Sequence, residues 1–134
     1  MSSEIKISLK IAGNYMDFDE ASAFIGLRSS KTLILENDYN RFPKYQWSII
    51  ADYSESESVD AKLQELFAQI SNHEEKIVEY STRNNLDVFI ECNIRIHIDR
   101  PLYELSSFTV KKLSELDATF RMDIFDLSKL TDPE

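Results

Sequence analysis

The chain predicts an α+β fold: one domain with a largely antiparallel five-stranded sheet and helices packed on one face. Three observations carry that prediction. The first is a long alternation, LDVFIECNIRIHID from Leu86 to Asp99. There Val88, Ile90, Cys92, Ile94, Ile96 and Ile98 fall on one face, and Phe89, Glu91, Asn93, Arg95, His97 and Asp99 on the other. It reads as a long antiparallel strand around which the remainder packs, apolar toward a core and polar toward solvent. The second is a change after Ser58 from period two to the helical period, with Val59, Leu63, Leu66, Phe67 and Ile70 forming one apolar stripe. The third is the order of segments, namely strand, helix, strand, strand, helix, helix, strand, helix, strand. No Pro-, Gly- or Ser-rich linker divides them, so residues 1–127 read as one domain and 128–134 as a polar tail.

From the N-terminus, Ile5, Ile7, Leu9 and Ile11 alternate with Lys6, Ser8, Lys10 and Ala12 in a first strand ending at Gly13. Asp17 or Asp19 caps a short helix carrying Ala21, Phe24 and Ile25, because an aspartate accepts hydrogen bonds from the free N–H groups of a first turn. Gly26 ends it, since glycine tolerates the left-handed conformation common there. Thr32 to Glu36 is a short strand, and a polar loop over 37–44 leads to a third strand, Tyr45 to Tyr53. Its Tyr45, Trp47, Ile49 and Ala51 share one face, with Trp47 in the core. Ser58 caps the long amphipathic helix, Asn72 caps the next, and Arg83-Asn84-Asn85 ends it. After Pro101 breaks the ladder, Ser106 or Ser107 opens a last helix carrying the apolar residues Phe108, Leu113 and Leu116. Thr119 to Phe125 closes the sheet. A weak echo of strand, short helix, strand joins the start of the chain to its end.

Composition narrows the function. At 134 residues a single domain buries roughly 65–70% of the surface its unfolded form exposes. The single cysteine, Cys92, lies in the apolar set and reads as a small core residue in a reducing compartment. No apolar run approaches the roughly 20 residues of a membrane helix, and the N-terminus lacks an apolar signal core, so the chain is expected in the cytoplasm. A net charge of −9 disfavours phosphate backbones and anionic lipid and favours a cationic partner.

Catalytic and cofactor signatures are weak. The two glycines, Gly13 and Gly26, stand too far apart for a phosphate-binding loop. Metal binding through His and Cys would have only His73, His97 and Cys92 to draw on, and Cys92 and His97 point to opposite faces of one strand. Neither a metal nor a cofactor is expected. The polar set Glu91, Arg95, His97 and Asp99 is the one constellation with acid–base potential, but a solvated face laced with cross-strand ion pairs is the stronger reading. The chain is expected not to be an enzyme.

Charge placement points to a partner. Asp52 to Glu79 holds eight acids against two bases, a net of −6, and Glu115 to Glu134 a net of −4. Like charges at i and i+4, as at Glu75 and Glu79, mildly disfavour a helix, so a docking role is the sharper explanation. Asp60, Glu65, Glu74, Glu75 and Glu79 are therefore the candidate partner-binding residues, with clustered charge steering encounter with a basic protein. The face of Glu91, Arg95, His97 and Asp99 is the second candidate.

One resemblance spans nearly the whole chain. It rests on the first strand leading through Asp17 to Phe24-Ile25-Gly26-Leu27, on Tyr45-Gln46-Trp47-Ser48, and on Leu113-Ser114-Glu115-Leu116-Asp117-Ala118 followed by Asp123-Ile124-Phe125. With these the chain resembles a bacterial family catalogued as domain of unknown function 4279. The resemblance implies a small protein found beside polymorphic toxins and a role as an immunity protein, one that neutralises a cognate toxin domain by binding it. The alternatives are a small-ligand binder or enzyme using the polar sheet face, and an oligomeric scaffold; a homodimer is compatible with each.

Overall fold

The structure, a computed structural model, describes residues 3–35 and 45–128. In chain order these form β1 (Glu4–Gly13), α1 (Phe18–Ile25), β2 (Lys31–Ile34), β3 (Tyr45–Glu55), α2 (Val59–Gln69), α3 (Glu74–Arg83), β4 (Asp87–Ile96), α4 (Ser107–Glu115) and β5 (Thr119–Asp126). The loop over 37–44 and the tail beyond residue 128 lie outside the described residues.

The five strands make one sheet in the order β2-β3-β1-β4-β5. Three of its four interfaces are antiparallel, and β4–β5 is parallel, so the sheet is mixed. The centre is β1, not β4. Neighbours on both sides cover β1 so completely that Ser8 and Ala12, on its polar parity, are buried along with Ile5, Ile7, Leu9 and Ile11. β4 stands one place out and stops at Ile96, leaving Ile98 exposed beyond its end. The parallel pairing has a physical origin in the connection. Parallel neighbours need a crossover of a dozen or more residues, and the segment 97–118 with α4 supplies it. The echo between the two ends is not a repeat of pairing, because β3 separates β1 from β2 whereas β4 and β5 are neighbours.

The apolar parity of the strands is buried as its β-branched composition requires: Trp47, Ile49 and Ala51 of β3 and Val88, Ile90, Cys92, Ile94 and Ile96 of β4 join β1 in a single core. All five stripe residues of the long helix region, Val59, Leu63, Leu66, Phe67 and Ile70, enter that core, as do Ile25 of α1 and Ile77 of α3. Burying such side chains stabilises by roughly 1.5–3 kcal/mol each. Trp47 is fully enclosed, and its indole N–H donates to Ser22 Oγ at 2.9 Å, so the one polar atom of the ring is satisfied by α1.

The caps follow the sequence at three helices of four. The side chains of Asp17, Ser58 and Ser106 accept from the backbone N–H of Glu20, Ala61 and Thr109. At α3, Asn72 is not the cap. It takes a φ of 71°, a conformation asparagine tolerates, and His73 occupies the cap position without a side-chain cap bond. His73 Nδ1 instead donates to the Ile25 carbonyl at 2.9 Å, tying α3 to the end of α1. Gly26 closes α1 at a φ of 82°. At Gly13 a Cβ would lie 2.3 Å from Leu86 Cδ2, so a larger residue there displaces the tip of that side chain. In α4, Phe108 points outward, half exposed, and Thr109 with Leu116 faces inward in its place.

A bulge in β3 re-aims one side chain. The β1–β3 register passes from Ile5↔Ser54 to Ile7↔Ala51, so Asp52 and Tyr53 together stand opposite Lys6. Unbroken alternation from Trp47 would bury Tyr53, and the extra residue turns its ring to the polar face. Lys62 of α2 anchors this irregular backbone: its stem is buried and its ammonium donates to the Asp52 carbonyl and to Ser54 Oγ, both at 2.7 Å.

Candidate functional site

The polar face of β1, β4 and β5, joined by Tyr53, carries a connected set of charges and rings. Antiparallel pairing sets Glu4 beside Arg95, Ser8 beside Glu91 and Lys10 beside Phe89, while parallel pairing sets Glu91 beside Arg121 and Asn93 beside Asp123. Glu91 is held from two sides, by Lys10 Nζ at 2.8 Å and by Arg121 Nη1 at 3.6 Å. The Arg121 guanidinium also lies 4.1 Å from the centre of the Phe89 ring. The Arg95 guanidinium lies 3.6 Å above the Tyr53 ring, with Lys6 Nζ 5.1 Å from the same ring. Such stacking holds a long cationic side chain in one orientation and leaves its N–H groups available.

Of the second candidate set, the structure brings Glu91, Arg95 and His97 to this face. His97 Nε2 meets Glu4 Oε1 at 2.7 Å. Asp99 is exposed past the strand end, and its backbone carbonyl accepts from Ser3 Oγ. A shallow groove of about 490 Å³ runs between β4 and β5, lined by Glu91, Cys92, Asn93, Arg121, Met122 and Asp123. Burial pushes the Cys92 thiol up to about 12, which keeps it protonated at neutral pH. Among the described residues no group of three or more His, Cys, Asp and Glu is placed to hold a metal ion. No helix among them is long and apolar enough to cross a membrane.

The acidic set is dispersed and largely engaged within the molecule. Asp60 ties α2 to the start of α4: its Oδ1 accepts from the Ser106 backbone N–H at 2.9 Å and its Oδ2 from Gln64 at 2.9 Å. A hydrogen bond from Thr109, then that from Ser106, holds its carboxyl below the ordinary value against the opposing effect of burial. Glu74 pairs with Lys112 of α4 at 3.0 Å. Burial there works toward protonation, but the hydrogen bond and charge of Lys112 outweigh it and keep the Glu74 carboxyl low, while Glu74 raises Lys112 in turn. Glu65 lies 3.2 Å from Lys62. Glu79 lies between Lys76 at 3.7 Å and Arg83 at 3.3 Å, so its repulsion with Glu75 is offset on its own helix. Glu75 is exposed in the first turn of α3, where the helix dipole favours an acid.

The alternation of the last strand already suggests Arg121 and Asp123 near this face, and the parallel register sets Arg121 beside Glu91. Tyr53 is not legible in the sequence, because only the bulge turns it outward, nor is Lys10 as a partner of Glu91, because strand order decides that contact. The fold thus defines a single-domain α+β protein whose charged and aromatic side chains converge on a sheet face. Residues 3–127 match the family described as Domain of unknown function (DUF4279), and the chain belongs to that family. No curated protein and no solved structure matches it.

Proposed function

We propose that the chain is an immunity protein of the bacterial cytoplasm that acts by binding, not by catalysis, and neutralises a cognate basic toxin domain. In this reading the helices share one side of the sheet and leave the other as the contact surface. The observation that carries it is the pair of stacked arginines, Arg95 on Tyr53 and Arg121 on Phe89. Arginine and aromatic residues dominate the energetics of protein–protein contacts, and side chains already held in place lose less freedom on docking. The net charge of −9 supports a basic partner by steering its approach.

The test is growth of cells producing the toxin domain encoded beside this chain, with and without the chain, together with the affinity of the purified pair. Arg95→Ala and Arg121→Ala are each expected to weaken binding by at least about tenfold and to reduce protection while the fold is retained. Parental affinity in both variants would remove the sheet face from the interface, and absence of both binding and protection would end the immunity reading. A second reading sets the contact on the acidic surface of α2 and α3, favoured by the exposure of Glu65 and Glu75. Under it, Glu65→Lys and Glu75→Lys slow association in a salt-dependent manner while the arginine variants bind normally.

A further inference from the structure

β5 is an edge strand that carries the charges Arg121, Asp123 and Asp126 but has neither the short length nor the bulge or proline that also keep edges apart. Among the described residues it pairs only with β4, over eight consecutive residues with no register shift, and it contains neither proline nor glycine. Met122, Ile124 and Phe125 stand 38%, 47% and 50% exposed along it. Its backbone is also set for further pairing. The Leu127 N–H, next after the strand, donates to the Ile96 carbonyl, so by strand alternation the odd-numbered residues bond inward to β4. The even-numbered residues Phe120, Met122 and Ile124 then aim N–H and C=O away from the sheet.

We infer that this edge receives the β5 of a second copy of the chain, antiparallel about a two-fold axis at Met122, joining two sheets into one of ten strands. The sequence of the edge is self-complementary in that register. Arg121 faces the second copy's Asp123 and Asp123 its Arg121; Phe120 faces Ile124, Met122 faces Met122, and Thr119 faces Phe125. The three even-numbered pairs are those whose backbone groups point outward, so the hydrogen-bonded positions and the side-chain matches coincide. Neighbouring two-fold registers lack this match: centring on Arg121 or Asp123 sets like charges against each other, and centring on Asp123 also opposes Phe120 to Asp126. The occupant is therefore this chain itself. The inference is independent of the proposed immunity role, because it is tested without any partner.

Sedimentation equilibrium of the intact chain should show a monomer–dimer equilibrium at concentrations up to about 0.5 mM. Arg121→Asp and Asp123→Arg each set like charges opposite one another and should weaken self-association by at least about tenfold, whereas an equimolar mixture of the two variants should restore the dimer, since each then supplies the other's missing charge. Because Arg121 also contacts Glu91, Met122→Lys serves as a second variant: it changes a side chain without a polar partner and brings two ammonium groups together at the axis. A parent that stays monomeric throughout, or variants that dimerise as the parent does, would overturn the inference.

Discussion

Asp60 was a natural candidate for partner binding on charge alone, yet its contacts give it a structural task, and Asp60→Ala separates the two. The substitution leaves the Ser106 N–H and Gln64 without their acceptor and loosens the junction of α2 with the first turn of α4. Hydrogen bonds to a charged group are worth about 1.5–3 kcal/mol each, but this carboxylate is partly exposed, so solvent screening reduces the combined loss to about 1–2 kcal/mol. In a domain of this size that lowers the melting temperature by about 3–8 °C. The pH dependence is a second readout. The folded carboxyl titrates below its ordinary value of 3.8, so its contribution is complete above that value and disappears as pH falls through the lower folded value. Thermal unfolding followed by circular dichroism should therefore show a gap between parent and variant at about pH 7 that narrows toward about pH 2.5. Asp60→Asn, which keeps an acceptor for Ser106, should recover part of the loss at neutral pH. Equal melting temperatures at neutral pH, or a gap that persists undiminished in acid, would refute the tether.

Two further outcomes follow from the core. Ile94 is fully buried between Ile5 and Ile124 on neighbouring strands, so Ile94→Asp loses an isoleucine's burial and leaves a carboxylate without a partner. The cost is at least about 4 kcal/mol, a large share of the 5–15 kcal/mol typical of a domain, and an unchanged denaturant midpoint would contradict the position given to β4. Cys92, 1% exposed and with its thiol pushed up to about 12, should be alkylated at neutral pH at least about 100-fold more slowly in the native chain than in denaturant. Comparable rates in the two states would mean that the β1–β4–β5 region opens readily.

How far the sequence reveals this molecule depends on whether the deciding interactions are local. The stripe Val59, Leu63, Leu66, Phe67, Ile70, the caps at Asp17, Ser58 and Ser106, and the buried parity of β4 are read from spacing alone, because each depends on residues a few positions apart. Strand order is not local. Nothing in the alternation of Leu86 to Asp99 distinguishes the centre of the sheet from the place beside it, so β1 at the centre emerges only from pairing. The same holds for the candidate site. Glu91, Arg95 and His97 share a face by parity, but Tyr53 reaches it through a bulge and Arg121 through a parallel register. The acidic residues illustrate the converse. Their number is visible in the sequence, while their engagement with Ser106, Lys112, Lys62 and Arg83 depends on how the helices meet.

The proposed binding role assigns the protein partner to the sheet face that carries Arg95 and Arg121. Isotope labelling of the chain and titration with the purified cognate toxin domain, followed by backbone and arginine side-chain NMR shifts, tests it most directly. The largest changes are expected at Lys6, Tyr53, Phe89, Arg95 and Arg121, with α2 and α3 little affected. Changes confined to Glu65, Glu75 and their neighbours on those helices, or no change at saturating toxin, would contradict it.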